Sequence, residues 1–215
     1  MVNITKRLIK YNYSLGNDIK YIVIHDTGNK RKGANAYAHY KYFNGGNKRA
    51  SAHYFVDDEG IFQLVEDYNA SWHCGDGKGK YGITNHNSIG VEICINEDGD
   101  YEKAVENTIE LVKYLTKKYD IPLDRVVRHY DASRKICPRS MSKNDWEDWW
   151  KFKSRLDESS NNELEFAVML LNEIGIINTP NYWLYNAVKG KTVKGEYAAI
   201  LIKRIAKFIH EKEGR

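Results

Sequence analysis

Residues 20–26 have the sequence Lys-Tyr-Ile-Val-Ile-His-Asp, and this short stretch decides the fold. β-Branched and aromatic residues dominate it, which is typical of a strand buried inside a sheet. The strand closes on His25, a side chain able to bind a metal ion or to move a proton. We therefore expect a core strand at residues 20–26 with a functional group at its end.

More strands follow along the chain. The turn sequence Asp57-Asp58-Glu59-Gly60 joins two short apolar runs, residues 51–56 and 61–65, and predicts a β-hairpin. Residues 89–95 and 126–130 are rich in β-branched side chains and predict two further strands. Strands are thus expected to recur through the first 130 residues.

Helices are predicted between and after these strands. Residues 34–43 indicate a short helix, and a third helix, capped by Asn144 or Asp145, is expected to run to about residue 156. The strongest helical pattern covers residues 101–119, where apolar side chains recur at three- and four-residue steps: Val105, Ile109, Val112, Leu115 and Tyr119. Mixed strands and helices indicate an α/β domain with a central sheet.

The chain is predicted to divide near residue 157. Residues 157–162 contain no apolar side chain, and they predict a linker between a domain of residues 1–156 and a helical module of residues 163–215. Gly175 is the expected C-cap of the first helix in this module. Two apolar stripes predict its long helices: Leu164, Val168, Leu171 and Ile174 in one, and Tyr197, Leu201, Ile205 and Phe208 in the other.

Composition excludes several classes of protein. Of 215 residues, 42% are hydrophobic and 29% charged, which favours a packed globular chain over a disordered or fibrous one. No apolar run approaches the roughly 18–20 residues that span a bilayer, so stable membrane insertion is not expected. The first 20 residues lack the pattern of a secretory signal peptide. The net charge of +4 comes without a basic cluster, so nucleic acid is not an expected partner.

Three residues beside predicted strand ends can bind a metal ion: His25, His129 and Cys137. A catalytic zinc site takes three protein ligands with nitrogen, sulfur or oxygen donors and leaves a further position open. Taken singly, a residue of this kind near a strand end is more often an ordinary structural or surface residue, so spacing alone does not decide. Of the other two cysteines, Cys94 is expected in the core and Cys74 as an exposed thiol.

Four separated segments carry a family resemblance. They are YIVIHDTG (21–28), SAHYFVDDEGIFQLVED (51–67), NASWHCGDGKGKYGITNHNSIGVEICIN (69–96) and VVRHYDASRKICP (126–138). In this order they resemble the type 2 N-acetylmuramoyl-L-alanine amidases, a zinc amidase family that includes phage endolysins and peptidoglycan recognition proteins. The resemblance covers about residues 20–155. It implies a central mixed β-sheet flanked by helices, and hydrolysis of the amide between N-acetylmuramic acid and the first L-alanine of the stem peptide.

The resemblance also implies a site. His25, His129 and Cys137 match the zinc ligands, with Zn²⁺ as cofactor. Glu92 matches an acid that serves as general base, and Lys135 matches a group that stabilises the oxyanion. The competing interpretations are an outward-facing strand residue in a salt bridge for Glu92 and a solvated loop side chain for Lys135.

One position departs from the family pattern. Some members carry a tyrosine immediately before the histidine of the hairpin strand, whereas here Ala52 precedes His53. A tyrosine-dependent version of the reaction is therefore not expected. Glu92 becomes the preferred acid–base group.

Four residues are candidates for contacts with substrate: His53, Trp72, His73 and Asn87. Trp72 and His73 lie in a segment that resembles a loop bordering the substrate groove, and Asn87 precedes the strand of Glu92. His53 could equally pack within the hairpin. For the other three, ordinary loop structure is the competing interpretation.

The expected function is that of a zinc-dependent peptidoglycan hydrolase, a phage or prophage endolysin. Two alternatives stay open, a non-catalytic peptidoglycan-binding module and a bacterial autolysin of the same chemistry. Cys137 argues against the first, because non-catalytic members typically lack the cysteine ligand. The protein is expected to be made in the cytoplasm without a signal peptide and to act on the cell wall after release, which could depend on a holin. The helical module could bind the cell wall, stabilise the enzyme or mediate oligomerisation.

Overall fold

A computed structural model describes residues 2–188 and 190–213 of the chain. Its strands are β1 (Ile4–Lys6), β2 (Tyr13–Leu15), β3 (Tyr21–Asp26), β4 (Tyr54–Val56), β5 (Ile61–Gln63), β6 (Asn69–Ser71), β7 (Ser88–Ile93) and β8 (Val126–Arg128). Its α-helices are α1 (Ala36–Asn44), α2 (Tyr101–Tyr119), α3 (His129–Ser133), α4 (Lys143–Leu156), α5 (Glu158–Glu173), α6 (Pro180–Asn186) and α7 (Gly195–Glu213).

Six of the strands form one mixed sheet in the order β1-β5-β4-β7-β3-β8. The β4–β5 pair is antiparallel, as the Asp-Gly turn predicted, and the other pairs in this sheet are parallel. In β3, Ile22, Val23 and Ile24 are fully buried, because a central parallel strand is covered on both faces. The predicted α/β fold with a central mixed sheet flanked by helices is confirmed.

Strand direction determines where functional groups meet. Strands β4, β7, β3 and β8 are all parallel, so their carboxyl ends lie at one edge of the sheet. His25 pairs with Glu92 across β3 and β7 near that edge, and His129 follows the end of β8. Ligand sites in parallel sheets form at this edge.

The hairpin and the long helix follow from local hydrogen bonding. In the hairpin turn, the buried Asp57 carboxylate accepts hydrogen bonds from the backbone of Glu59, Gly60 and Ala36 at 2.8–3.0 Å. It therefore ties the turn to the start of α1. Helix α2 begins where the Asp100 side chain caps the backbone of Lys103, and its predicted apolar stripe is buried, apart from the half-buried Tyr119.

Two local predictions were wrong at their boundaries. The strand expected over residues 126–130 ends at Arg128, and His129 begins helix α3. Neither Asn144 nor Asp145 caps a helix in the expected way. Both lie within α4, where they and Trp146 have left-handed backbone conformations.

The chain divides into two compact units, with the boundary in the sequence between Phe152 and Lys153. The expected linker at residues 157–162 is helical instead, because α5 begins at Glu158 and only Asp157 separates it from α4. The run contains neither glycine nor proline, the residues that disfavour a helix most strongly, and residues 158–162 form the start of α5.

The second unit is a small helical module with its own core. Gly175 has a φ of +75°, the left-handed conformation of a C-cap, after α5. Both predicted stripes contribute to the core, except that Ile174 and Tyr197 are exposed. Its buried residues are Val168, Ile176, Ile177 and Trp183, with Leu164, Leu171, Leu201, Ile205 and Phe208 packed against them. Among the described residues, none of the helices combines the length and apolar character needed to cross a bilayer.

Candidate metal and catalytic site

The structure brings the three metal-capable residues together. One ligand atom from each of His25, His129 and Cys137 lies within 4.8 Å of the other two, and all three residues are buried. His25 comes from the end of β3 and His129 from the first residue of α3. The backbone N–H of Tyr130 donates to the carbonyl of Cys137 at 3.1 Å, which holds the cysteine loop against α3.

His129 is held by a carboxylate on the side away from the cluster. Its Nε2 lies 2.7 Å from Oδ1 of Asp76. An ionised carboxylate only accepts hydrogen bonds, so Nε2 carries the proton and Nδ1 keeps a free lone pair. That Nδ1 is buried and makes no hydrogen bond within the described part of the chain. A buried orphan nitrogen is what a metal-binding imidazole requires.

His25 is arranged in a similar way. Its Nδ1 lies 3.7 Å from the Cys137 sulfur, while its Nε2 lies 3.0 Å from Nδ1 of His73. Burial holds the pKa of His25 well below its usual value, and the neighbouring His73 and His129 lower it further. The imidazole is therefore neutral at physiological pH, which is the form that binds a metal.

The chemistry of Cys137 indicates that a cation binds beside it. Burial raises the pKa of its thiol to about 12, with the nearby Glu92 adding to the effect. A thiol in this place ionises at neutral pH only beside a cation, and a metal ion deprotonates a coordinating thiol outright. Two imidazole nitrogens and one sulfur match the donor set of catalytic zinc, so the residues fit Zn²⁺.

Glu92 stands next to these three residues. Its side chain is 19% exposed, and its Oε1 lies 4.0 Å from Nδ1 of His25. Burial and the nearby Asp26 raise the pKa of Glu92 to about 8, while Lys135 opposes that rise. Its Oε2 is buried without a hydrogen-bond partner among the described residues. An acid–base group works best with a pKa near the working pH, and Glu92 meets that condition.

Lys135 lies at the exposed rim of the site. Its positive charge lowers the pKa of His25, His129, Cys137 and Glu92, so its ammonium group acts on the whole cluster. A cation at that place can stabilise negative charge that develops beside the cluster.

Comparison with known proteins places this arrangement in a family. The model of the N-acetylmuramoyl-L-alanine amidase family matches residues 15–140, more than half of the chain. This chain belongs to that family.

Individual members show the same likeness. N-acetylmuramoyl-L-alanine amidase CwlH of Bacillus subtilis (strain 168) is 46% identical over 121 residues, 56% of this chain and 48% of CwlH. XlyA of the same organism is 42% identical over 121 residues, covering 56% of this chain and 40% of XlyA. The solved catalytic domain of XlyA superposes with a TM-score of 0.65 at 38% identity, over 72% of this chain and 99% of that domain. The match thus spans about half the length, or less, of these two curated relatives.

Two of the four candidates for substrate contact, His53 and His73, are buried. His53 has no exposed surface, its Nε2 donates to the carbonyl of Asn69, and its Nδ1 accepts from Ser71 Oγ and the Gly90 backbone. It is a packed structural histidine. His73 is also buried, with both ring nitrogens engaged, and it contacts the metal-capable His25 rather than the groove.

The other two candidates remain predictions. Trp72 is half-buried and donates from Nε1 to Ser14 Oγ at 2.9 Å. The amide of Asn87 bridges Thr84 and Gly82 within its own loop, so its hydrogen-bonding groups already have partners. Both residues hold loop structure in place, and no described contact assigns either to substrate.

The two remaining cysteines lie in the interior. Cys94 packs in a core cluster with Ala36, Phe55 and Leu64, as expected from its place in an apolar strand. The expectation of an exposed thiol at Cys74 was wrong, because this residue is only 1% exposed. Sequence context suggested a loop, and the loop is buried against the sheet.

Sequence reasoning missed the roles of Asp76 and Ser88 beside the metal-capable histidines. Asp76 binds His129 across 53 residues of chain, and Ser88 Oγ lies 3.1 Å from Nε2 of His73. The one signal in the sequence is the Gly-Asp-Gly stretch at residues 75–77, because Gly77 lets the backbone beside Asp76 approach the Ala132 carbonyl, which a Cβ would meet at 2.1 Å.

Proposed function

We propose that this chain is a zinc-dependent peptidoglycan hydrolase that cleaves the amide between N-acetylmuramic acid and L-alanine, and that it acts as a phage or prophage endolysin. One observation carries the proposal: His25, His129 and Cys137 converge beside the buried Glu92. Family membership supports the reaction, since the relatives CwlH and XlyA are named N-acetylmuramoyl-L-alanine amidases.

The cofactor follows from the donor set. His25 and His129 would each hold zinc through Nδ1, and Cys137 through its thiolate. When bound, zinc would activate a water molecule and polarise the scissile carbonyl. Three protein ligands leave a position open for that chemistry.

Glu92 handles the proton in this proposal. Its carboxylate lies beside the ligand set, where it can take a proton from the attacking water and return it to the leaving amine of alanine. Burial raises the pKa of Glu92 to about 8, and positive charge at the ligand set would favour the ionised carboxylate that takes up the proton. Ala52 offers no hydroxyl at the position where some family members carry tyrosine, so Glu92 acts without it.

Lys135 supplies charge where the carbonyl oxygen becomes negative. Its exposed position at the rim leaves the ammonium free to approach a substrate that enters from solvent. Preorganised positive charge at a developing oxyanion lowers the barrier, because it does not need to reorganise during the reaction.

The proposed partner is bacterial peptidoglycan, and the proposed place of action is the cell wall after release from the cytoplasm. Release could depend on a holin. The helical module, with exposed aromatic side chains such as Phe166 and Tyr185, is proposed to add affinity for the wall.

The test is to incubate purified chain with purified peptidoglycan and to measure bound zinc, new alanine amino termini and new reducing sugar ends. We expect stoichiometric zinc and new amino termini without new reducing ends. Wall binding without release of amino termini would instead support a non-catalytic binding module. The matched controls are two buried thiols: Cys137→Ala should lose both zinc and activity, whereas Cys94→Ala should keep both.

A further inference from the structure

We propose that residues 73–77, the ligand-orienting loop, position both histidine ligands of the zinc site through Asp76 and His73. The inference rests on the proposed function, since it concerns the same zinc site. Neither residue touches the ligand position itself. Each binds the distal nitrogen of one imidazole, and both lie within four residues of each other.

The contact between Asp76 and His129 determines the orientation and the tautomer of the His129 imidazole. Asp76 Oδ1 accepts from His129 Nε2 at 2.7 Å, and its Oδ2 accepts from Ser133 Oγ at 3.3 Å. Both partners come from α3, so the carboxylate bridges the first and last residues of that helix. Its acceptor-only character keeps the proton on Nε2 and leaves Nδ1 to the metal.

A chain of hydrogen bonds determines the orientation and the tautomer of the His25 imidazole. It runs from His25 Nε2 to His73 Nδ1 at 3.0 Å, and from His73 Nε2 to Ser88 Oγ at 3.1 Å. Ser88 Oγ then donates to the backbone carbonyl of Thr84. A carbonyl only accepts, so every proton in the chain points towards Thr84. That polarity leaves His25 Nδ1 unprotonated and free to bind.

Close packing holds the loop in the required place. A Cβ on Gly77 would lie 2.1 Å from the Ala132 carbonyl, and a Cβ on Gly90 would lie 2.5 Å from the His73 ring. Glycine at these two positions thus permits the approach of the loop to α3 and to β7. The Asn85 side chain accepts hydrogen bonds from the backbone N–H of His73 and Cys74.

One loop therefore determines the orientation and the tautomer of both imidazoles. Outer partners of metal-binding histidines are typically worth 10- to 100-fold in metal affinity or activity. We expect that range for Asp76, and about tenfold for Ser88, which acts through two hydrogen bonds.

The experiment compares zinc dissociation constants, by chelator competition, for the full chain and its Asp76→Ala, Asp76→Asn and Ser88→Ala variants. Asp76→Ala should bind zinc about 10- to 100-fold more weakly. Asp76→Asn keeps an acceptor oxygen and should recover part of the loss. Two controls match the chemistry: Asp18→Ala removes an exposed acid, and Thr108→Val removes a buried hydroxyl that, like that of Ser88, donates to a backbone carbonyl.

A second readout reports the imidazoles directly. Long-range ¹H–¹⁵N NMR of the zinc-free protein at neutral pH should show both His25 and His129 protonated at Nε2. Asp76→Ala should convert His129 to a mixture of tautomers and leave His25 unchanged, whereas Ser88→Ala should do the reverse. If one variant fails to fold, the other still tests the proposal, because Asp76→Ala reports on His129 and Ser88→Ala reports on His25.

The outcomes separate this inference from the proposed function. If the wild-type chain binds zinc and hydrolyses peptidoglycan while both variants bind zinc as tightly as their controls with unchanged tautomers, the positioning role is wrong and the function stands. If the wild-type chain binds no zinc, the proposed function itself fails.

Discussion

Glu92 lies directly opposite His25 in the parallel pairing of β7 with β3, and its Oε1 is 4.0 Å from the His25 Nδ1. Residues paired in this way point to the same face of the sheet. The fold thereby places a carboxylate beside a metal-capable nitrogen without any loop in between. Rigid strands hold both groups, which favours a precise catalytic geometry.

This relationship predicts the behaviour of Glu92→Gln. The variant keeps the side-chain volume and all three ligands, so zinc content should be unchanged. Release of alanine amino termini should fall about 10²- to 10⁴-fold, because the amide cannot take up the proton. The exposed Glu97→Gln is the control and should retain full activity. Wild-type turnover by Glu92→Gln would remove Glu92 from the mechanism.

Lys135→Met should separate catalysis from metal binding. We expect hydrolysis to fall about 10²-fold or more, because a charge near the developing oxyanion is lost. Zinc affinity should stay the same or rise, since the ammonium repels positive charge at His25 and His129. Lys80→Met, in the loop between β6 and β7, changes an exposed lysine without either effect. A parallel loss of zinc in Lys135→Met would mean that Lys135 supports the ligands instead.

The sequence was most informative where side-chain periodicity is strong. β3, β7 and α2 are long or continuously apolar, and each was predicted close to its observed position. The strands β1, β2 and β6 are as short as β4, β5 and β8, but their sequences Ile-Thr-Lys, Tyr-Ser-Leu and Asn-Ala-Ser contain no run of apolar residues that would mark them. Their pairing partners decide that they are strands.

The residues of the candidate site differ in the same way in how far local sequence predicts them. The ligand residues are chemically unusual at strand ends, so residue type alone marked them. Asp76 and His73 act through partners 53 and 48 residues away, and their roles depend on tertiary contacts that local sequence does not contain. Local sequence does not show whether His53 and His73 are exposed; the structure buries both, which favours the packing interpretation of His53.

Asp67→Asn should destabilise the catalytic domain. The buried carboxylate accepts hydrogen bonds from Tyr54, Tyr119, Lys118 and Gln63, and so ties the hairpin to α2. Loss of these charge-assisted bonds should lower the free energy of unfolding by about 3 kcal/mol, measured by urea titration at neutral pH. Asp18→Asn, an exposed acid, should change it by less than about 0.5 kcal/mol.

The Asp67 carboxylate also predicts part of the loss of stability at acid pH. Burial alone would raise the pKa of Asp67, but the hydrogen bonds from Tyr119, Tyr54 and Lys118 outweigh it and hold the pKa below the usual value. The folded state therefore binds this proton less readily than the unfolded state. Its stabilisation is present above about pH 4 and is lost as the pH falls through the folded pKa. Asp67→Asn should show a weaker pH dependence in that window.

The buried His53 predicts that stability also depends on pH between about 4 and 6.5. Burial lowers its pKa from 6.5 to about 4, although Asn69 and Asp67 oppose the shift. Between these values the unfolded chain binds a proton that the folded chain does not, so stability should fall as the pH falls from 6.5 to 4. The total loss is on the order of 3 kcal/mol. In zinc-free protein, His53→Gln should lack this part of the slope; an unchanged slope would place the titration elsewhere.

Removal of the helical module tests its proposed role at the wall. A chain truncated after Leu156 ends with α4 and retains the ligands, Glu92 and Lys135. Hydrolysis of a soluble muropeptide should be unchanged, because no group proposed for the chemistry is lost. Binding to purified cell wall in a pelleting assay should weaken roughly tenfold or more, since a second binding element adds affinity by raising the local concentration.

A point variant gives the matched control for the truncation. Phe166 and Tyr185 are 72% and 58% exposed, so replacing both by serine removes aromatic surface from the module while leaving its core of Val168, Ile177 and Trp183 intact. If aromatic contacts bind the wall, this double variant should reproduce the weaker pelleting while the module keeps its helical circular dichroism signal. Wall binding that survives both changes would show that the catalytic domain alone holds the enzyme on its substrate, and the module would then have no targeting role.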